Sequence, residues 1–249
     1  MNNRNNRIFY PLVTTILVLL IWEILIYIRI INPTFLPSPS KVVKALFNNF
    51  SYLIQSAGVT LSDIGISYMV GTSLAICSGI LFGWFKKASL SITPLLLLFS
   101  TIPIVTYLPL FTLWFGLNKI PVLLAGTIGA FFPSFMNTMS GVKNIDKRYI
   151  EVAQNFNATN MQILFKVVLP GSLPFIINGL RVSVQTTFLI TPVAEMIMGD
   201  FGLGGFIWKS ADLFRTDMVV LGQLTLGFMG LIVFTAFNRI EKHLLRNWS

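Results

Sequence analysis

The chain has 249 residues, of which 54% are hydrophobic and only 11% charged, with a mean hydropathy of +0.75. A soluble domain of this length carries about 25% charged residues, so the composition excludes an ordinary soluble enzyme and indicates a polytopic, all-α membrane protein. The formal charge of +9 comes from basic residues in the gaps between apolar runs, a pattern of membrane topology rather than of a nucleic-acid-binding face.

Six segments are long enough to cross a bilayer. The first, 12–31, follows Arg4 and Arg7 and contains Glu23; its length of about 20 residues suffices to span, and no small-residue cleavage site follows, so it is a retained helix and not a signal peptide. The stretch FLPSPSKVVKALF starts at Phe35. Pro37 and Pro39 oppose helix there, and Ser40 can cap a surface helix beginning at Lys41. The second span, 60–84, contains the single cysteine, Cys77, and a Gly79/Gly83 pair suited to close packing within the bundle. One cysteine allows neither an intramolecular disulfide nor a Cys metal cluster.

The third span, 92–115, holds Pro94, Pro103 and Pro109 with Ser100, Thr101 and Thr106. Proline in a helix interior removes a backbone hydrogen bond, and in lipid the freed carbonyls must be buried in protein or face a water-filled cavity. Broken helices of this kind mark transport pathways, which makes Thr101, Pro103, Thr106 and Pro109 pathway candidates; the alternative is a kink satisfied by neighbouring helices. The fourth span is 121–139. The fifth, 174–198, carries Arg181, Gln185, Thr186, Thr187, Thr191 and Glu195. Ionisable groups inside a span are functional candidates, so Gln185, on one face with Arg181, and Glu195 join the pathway set. Against this, Arg181 is close enough to one end to snorkel, and Glu195 is close enough to the other to be wetted. GDFGLGG follows as a tight outer turn of Gly199, Gly202, Gly204 and Gly205; it lacks the strand and helix of a dinucleotide loop. The sixth span, 218–237, leads to a basic tail containing the only histidine, His243.

Between the fourth and fifth spans lies a polar interruption, 146–170, which includes EVAQNFNATNMQILFKVVLP from Glu151 to Pro170. Asp146 is a candidate N-cap, and Ile150, Ala153 and Phe156 recur at helical spacing. The helix should stop at Asn157, the residue type that after glycine best tolerates a left-handed conformation, so a positive φ is expected there. Thr159 with Gln162 has the spacing of a capping box for a second helix, with a stripe of Ile163, Val167 and Val168 closed by Leu169-Pro170. Such an amphipathic hairpin either docks on a soluble partner or lies on the lipid surface.

Basic residues orient the chain. With a cytoplasmic N-terminus, the inner side holds Arg4, Arg7, Lys86, Lys87, Lys143, Lys147, Arg148, Lys166, Arg181, Arg239, Lys242 and Arg246, and the outer side Arg29, Lys41, Lys44, Lys119, Lys209 and Arg215. Twelve against six places both termini and the hairpin in the cytoplasm. There is no GxxxxGK[ST], no HExxH and no GxSxG, and no carboxylate pair is placed for acid–base work. No catalytic or metal-binding residue is expected, nor any cofactor held by the chain itself. An ion-coupled secondary transporter is the rival, but it should show two similar halves, which are not visible.

The hairpin resembles the EAA signature of permease subunits of bacterial ABC importers. Glu151-Val152-Ala153 stands for E-A-A, Asn157 for the glycine, and Leu169-Pro170 for the closing pair; Val152 and Asn157 depart from the pattern. FLPSPSKV, STIPIVTYLPLFTLWFG from Ser100, LPGSLPFIINGLRVSV from Leu169, and AEMIMG then GLGG from Ala194 resemble, in that order, the nitrate/sulfonate/taurine-type branch. The resemblance covers nearly the whole chain from Leu12. It implies a single transmembrane domain, 1–249, with the type I ABC importer permease fold: six transmembrane helices and a cytoplasmic coupling helix pair in which Glu151, Ala153, Phe156, Asn157 and Ala158 meet an ATPase subunit. It further implies a multi-pass protein of the bacterial inner membrane, paired with a second permease copy in contact with lipid. Cytoplasmic subunits bind the ATP, an extracytoplasmic binding protein delivers the solute, and no nucleic acid is involved. The solute would be small, polar and anionic, such as nitrate, a sulfonate, taurine or bicarbonate, with a thiamine-precursor pyrimidine as the alternative.

Overall fold

The computed structural model describes the backbone of residues 3–246, and the side chains of all of these except 3–9, 11, 12 and 86. Arg4, Arg7, Leu12 and Lys86, used above for topology, therefore have side chains outside the described residues. Among the described residues the chain is all helical: α1 (Asn3–Tyr27), α2 (Pro39–Trp84), α3 (Lys86–Thr101), a 3-10 turn (Ile104–Tyr107), α4 (Leu108–Phe115), α5 (Lys119–Lys143), α6 (Lys147–Asn155), α7 (Asn160–Ile163), a π turn (Leu164–Val168), α8 (Leu169–Met198), α9 (Gly202–Asp212) and α10 (Thr216–Leu244).

Helix α5 is the centre, with α2 and α8 packed along its two sides. Small residues permit this approach. A Cβ on Gly79 or Gly83 would meet Thr138 or Val142 of α5 at 2.8 or 2.7 Å, so the expected Gly79/Gly83 pair is a packing seam. Across α5 and α8, Ser183 Oγ donates to the Ala130 carbonyl at 2.6 Å and Thr186 Oγ1 to that of Gly129 at 2.8 Å. Such bonds hold helices together where lipid supplies no hydrophobic driving force between them.

Among the described residues four helices are long and apolar enough to cross a membrane, or five where α3 and α4, bent by 88° at their break, count as one span. Trp84, at the end of α2, packs in one cluster with Val142 at the end of α5, so the chain between α2 and the start of α5 must run from one end of the bundle to the other. The helix of the expected first span ends at Tyr27, four residues before Ile31, and Arg29 turns the chain there with φ +60°. The expected outer helix and second span are one 46-residue element, α2, kinked at Asn49.

Three local expectations are corrected. Ser38, not Ser40, caps α2, its Oγ accepting from the Lys41 N–H at 3.4 Å, because proline is well placed at the first helical position. The Ser40 N–H and hydroxyl bond instead to Glu23 of α1, at 3.1 and 2.7 Å. Leu169-Pro170 does not close a helix. The helix runs unbroken from Asn160 to Met198, since the wide π turn before Pro170, with the Leu169 N–H reaching back to Leu164, makes room for a ring that would clash in α geometry. Finally, GLGG is not a turn: only Gly199 and Gly202 have positive φ, and Gly202 begins α9.

Candidate functional site

The hairpin of α6 and α7 is built from local chemistry. Asp146 Oδ1 accepts the Arg148 N–H at 2.9 Å and so caps α6. At the other end Asn157 has φ +56°. Its N–H bonds to the Gln154 carbonyl at 2.8 Å, and that of Ala158 to Ala153 at 3.1 Å, the paired bonds of a Schellman termination. Thr159 and Gln162 then form both bonds of the capping box, at 2.8 and 3.3 Å.

One face of this hairpin is anchored. Ile150, Ala153 and Ala158 pack with Ile163, Leu164 and Val168 against Ile80 and Trp84 of α2 and Val142 of α5. Burial of residues such as Ile163 and Val168 stabilises by about 1.5–3 kcal/mol each. Phe156 does not share that face. It lies at the C-cap, beyond the last helical residue, and is 83% exposed. Glu151, Val152 and Asn157 are exposed with it, as are the large apolar side chains Tyr149, Met161 and Phe165. The hairpin is thus a rigid platform on the ends of three long helices, presenting apolar side chains outward beside an acid.

The break between α3 and α4 lies at Ile102-Pro103. Ile102 is extended (φ −75°, ψ 124°), as a residue before proline tends to be. Pro94 and Pro109 lie within helices and break neither. Thr101, Pro103, Thr106 and Pro109 are all exposed. The Ser100 and Thr101 hydroxyls donate to the carbonyls of Leu97 and Leu98, at 2.9 and 2.7 Å, and that of Thr106 to Pro103 at 2.7 Å. These hydroxyls therefore donate to carbonyls of the preceding turn on either side of the break, leaving only lone pairs to face a solute. The neighbouring helix α4 is held by Leu108 against Val122 and Ala125 of α5 and Ala194 of α8.

The other two pathway candidates lie elsewhere. Gln185 is exposed, in a cleft with Arg181, Asn238 and Glu241, and Arg181 pairs with Glu241 at 3.5 Å. Glu195 is not wetted: it has no accessible surface. Its Oε2 accepts from Thr60 Oγ1 at 2.7 Å and from the Gly204 N–H at 2.9 Å, while Thr60 Oγ1 accepts the Leu203 N–H at 2.7 Å. Helix α9 has no side-chain cap of its own, so Thr60 of α2 and Glu195 of α8 together satisfy two of its otherwise orphaned first-turn donors.

Sequence reasoning missed Asp63, which is buried on α2 and bridged by Lys119 Nζ at 3.2 Å. Lys119 also lies 5.8 Å from the centre of the Phe201 ring. An acid inside an apolar run followed by a lysine at the start of the fourth span was the available signal. Among the described residues there is no group of three or more metal-binding side chains.

Residues 69–249 match the family model described as binding-protein-dependent transport system inner membrane component. The chain is 34% identical over 233 residues to a putative ABC transporter permease of Methanocaldococcus jannaschii, covering 90% of this chain and 86% of that one. It is 29% identical over 235 residues to the putative aliphatic sulfonates transport permease SsuC of Bacillus subtilis (92% and 84%) and 27% identical over 238 to the taurine transport system permease TauC of Escherichia coli (93% and 86%). Its fold is that of a chain of the MetNI methionine ABC transporter in an inward-facing conformation, with a TM-score of 0.67 at 20% identity over 79% of this chain and 97% of that one. The chain belongs to the inner-membrane components of binding-protein-dependent transport systems, the permease subunits of ABC importers.

Proposed function

We propose that this permease imports a small anionic solute of the sulfonate type, working as one of two copies in a bacterial inner membrane with both termini in the cytoplasm. The whole chain acts as one transmembrane domain, α1 and the bent α3–α4 pair completing six crossings with the four long helices. The α6–α7 hairpin couples the bundle to a cytoplasmic ATP-binding subunit: Glu151 and Phe156 make the contact, while Ala153, Asn157 and Ala158 set its shape. ATP is bound by that subunit and not by this chain, and an extracytoplasmic binding protein delivers the solute. The break at Thr101, Pro103, Thr106 and Pro109 lines the pathway, with Gln185 nearer its inner end. Glu195 acts as a fastener of the outer end rather than as a lining residue.

The observation that carries the coupling assignment is Phe156, 83% exposed at the tip of a hairpin whose other face is locked into the bundle. A large apolar side chain held out on a rigid polar element fits a protein cleft better than bulk water. The sulfonate assignment is supported by the solutes named for the SsuC and TauC relatives.

The test is uptake of taurine and of a longer alkanesulfonate by vesicles containing the permease, its ATP-binding subunit and its binding protein. Uptake should require ATP and should stop in Glu151→Lys while the permease remains in the membrane. Uptake that persists without the ATP-binding subunit and follows an ion gradient would establish the secondary-transport alternative instead.

A further inference from the structure

The α9–α10 junction, at the far end of α8 from the coupling hairpin, carries backbone strain that packing does not explain. Helix α9 ends as α6 does. The Phe214 N–H bonds to the Ala211 carbonyl at 2.9 Å and the Arg215 N–H to that of Ser210 at 2.8 Å, again a Schellman termination. The residue in its left-handed position is Phe214, with φ +53°; among the described residues only Arg29 and Asn157 share that region without being glycine. A bulky aromatic is rarely found there, and burial does not compel it, because Phe214 is 84% exposed. Strain of this kind concentrates where a function uses the geometry.

Phe214 is also one wall of a cleft of about 380 Å³ whose other walls include Pro33, Pro37, Lys41, Arg215 and Asp217. The two prolines stiffen the α1–α2 loop, so tip and cleft form one fixed shape. Among the described residues neither Lys41 nor Arg215 forms an ion pair. Asp217 lies in the first turn of α10, where an acid complements the helix dipole. The cleft therefore offers two cations to an incoming carboxylate.

We propose that Phe214 and this cleft are the outer docking point for the extracytoplasmic binding protein. Phe214 enters an apolar notch of that protein, and one of its carboxylates enters the cleft between Lys41 and Arg215. The family is binding-protein-dependent, and in the orientation proposed above this is the end that such a protein meets. An aromatic at a membrane boundary can instead sit among lipid headgroups, but that role needs no left-handed backbone: Trp208, within α9, is half exposed in ordinary helical geometry. A rigidly held aromatic beside unpaired charges has the character of a protein-interface anchor. The proposal rests on the orientation and the binding-protein partner of the transport reading.

The experiment titrates the full permease, purified with its ATP-binding subunit and placed in nanodiscs, with the binding protein of the same transporter. Phe214→Gly relaxes the backbone and should leave the unfolding temperature at or above that of the parent, yet raise the dissociation constant for the binding protein roughly ten-fold or more. Lys41→Glu puts an acid in the first turn of α2, where the helix accepts it. It should weaken docking strongly at low salt and less at high salt. p-Benzoylphenylalanine in place of Phe214 should crosslink to the binding protein on illumination. Crosslinks to lipid alone or to a second permease copy would overturn the proposal, as would Phe214→Gly binding like the parent. A fall in the unfolding temperature of Phe214→Gly would give Phe214 a structural role and overturn it too. A parent that never binds the protein would remove the transport reading itself, so the two failures are told apart.

Discussion

The carboxylate of Glu195 lies so close over Gly202 that a Cβ on the glycine would overlap both of its oxygens. Gly202 also has φ +59°, where a side chain costs on the order of 1–3 kcal/mol in backbone strain. Gly202→Ala must therefore push the Glu195 carboxyl away from the Gly204 N–H, forfeiting a buried hydrogen bond worth about 0.5–1.5 kcal/mol. The unfolding temperature should fall by roughly 5 °C or more. Gly227→Ala, at a helical position with open space around it, is the comparison, and equal behaviour of the two variants would show that the contact does not hold α9 in place.

Asn157 occupies the left-handed region, with φ +56°, at the position where the EAA pattern has glycine. Asn157→Gly should leave folding and transport near the parent level, because glycine adopts this conformation freely. Asn157→Val places a β-branched residue there and should destabilise the hairpin by about 1–2 kcal/mol. Limited proteolysis across residues 154–160 reads the difference directly. Equal protection in the two variants would argue that the turn is not held by its backbone conformation.

What could be read from the residues alone divides along physical lines. The Asp146 cap, the stop at Asn157 and the Thr159–Gln162 box involve partners within five residues, and all three form as expected. Helix boundaries were less legible: Pro39 and Pro170 look like breaks, yet each is accommodated, one at a helix start and the other after a π turn. Least legible was Glu195. Its position suggested water, but its partner Thr60 is 135 residues away, and only the packing of α2 against α8 and α9 brings them together. Asp63 was missed for the same reason, its lysine lying 56 residues further on.

Phe156 separates coupling from stability. Because its side chain is almost fully exposed, Phe156→Ala should leave the unfolding temperature of the permease within about 1 °C of the parent, as surface changes do. If it fills a cleft of the ATP-binding subunit, truncation should weaken association by at least about 2 kcal/mol, roughly thirty-fold in the dissociation constant. Co-purification and titration of the two subunits measure this. Unchanged association would remove Phe156 from the interface.

Acid should loosen the same hairpin. Arg148 donates through Nε and a terminal nitrogen to Asp146 Oδ2, at 2.9 and 2.6 Å, and through its backbone N–H to Oδ1. These bonds hold the Asp146 carboxyl below its ordinary range. A carboxyl with a lowered folded-state pKa binds fewer protons folded than unfolded, so its stabilisation is present above the unfolded value, near pH 4, and is lost as pH falls through the folded one. Protease protection of α6 should decline on acidification through this range, and Asp146→Asn should flatten the decline. A parent and variant with superimposable pH curves would assign the effect to other groups.

The pathway assignment turns on which exposed residues meet water inside the assembled transporter. In a background lacking Cys77, which is itself exposed, cysteine at Thr101, Thr106 or Gln185 should react with a membrane-impermeant thiol reagent. Adding ATP and binding protein should change the rates as access alternates between the two sides. Cysteine at Leu113, on the α4 surface and 82% exposed in the single chain, distinguishes water from lipid, because a lipid-facing thiol stays protonated and unreactive. If Thr101 and Thr106 are as inert as Leu113 in every nucleotide state, the hydroxyls at the Pro103 break serve only the carbonyls they already bond, and the solute passes elsewhere.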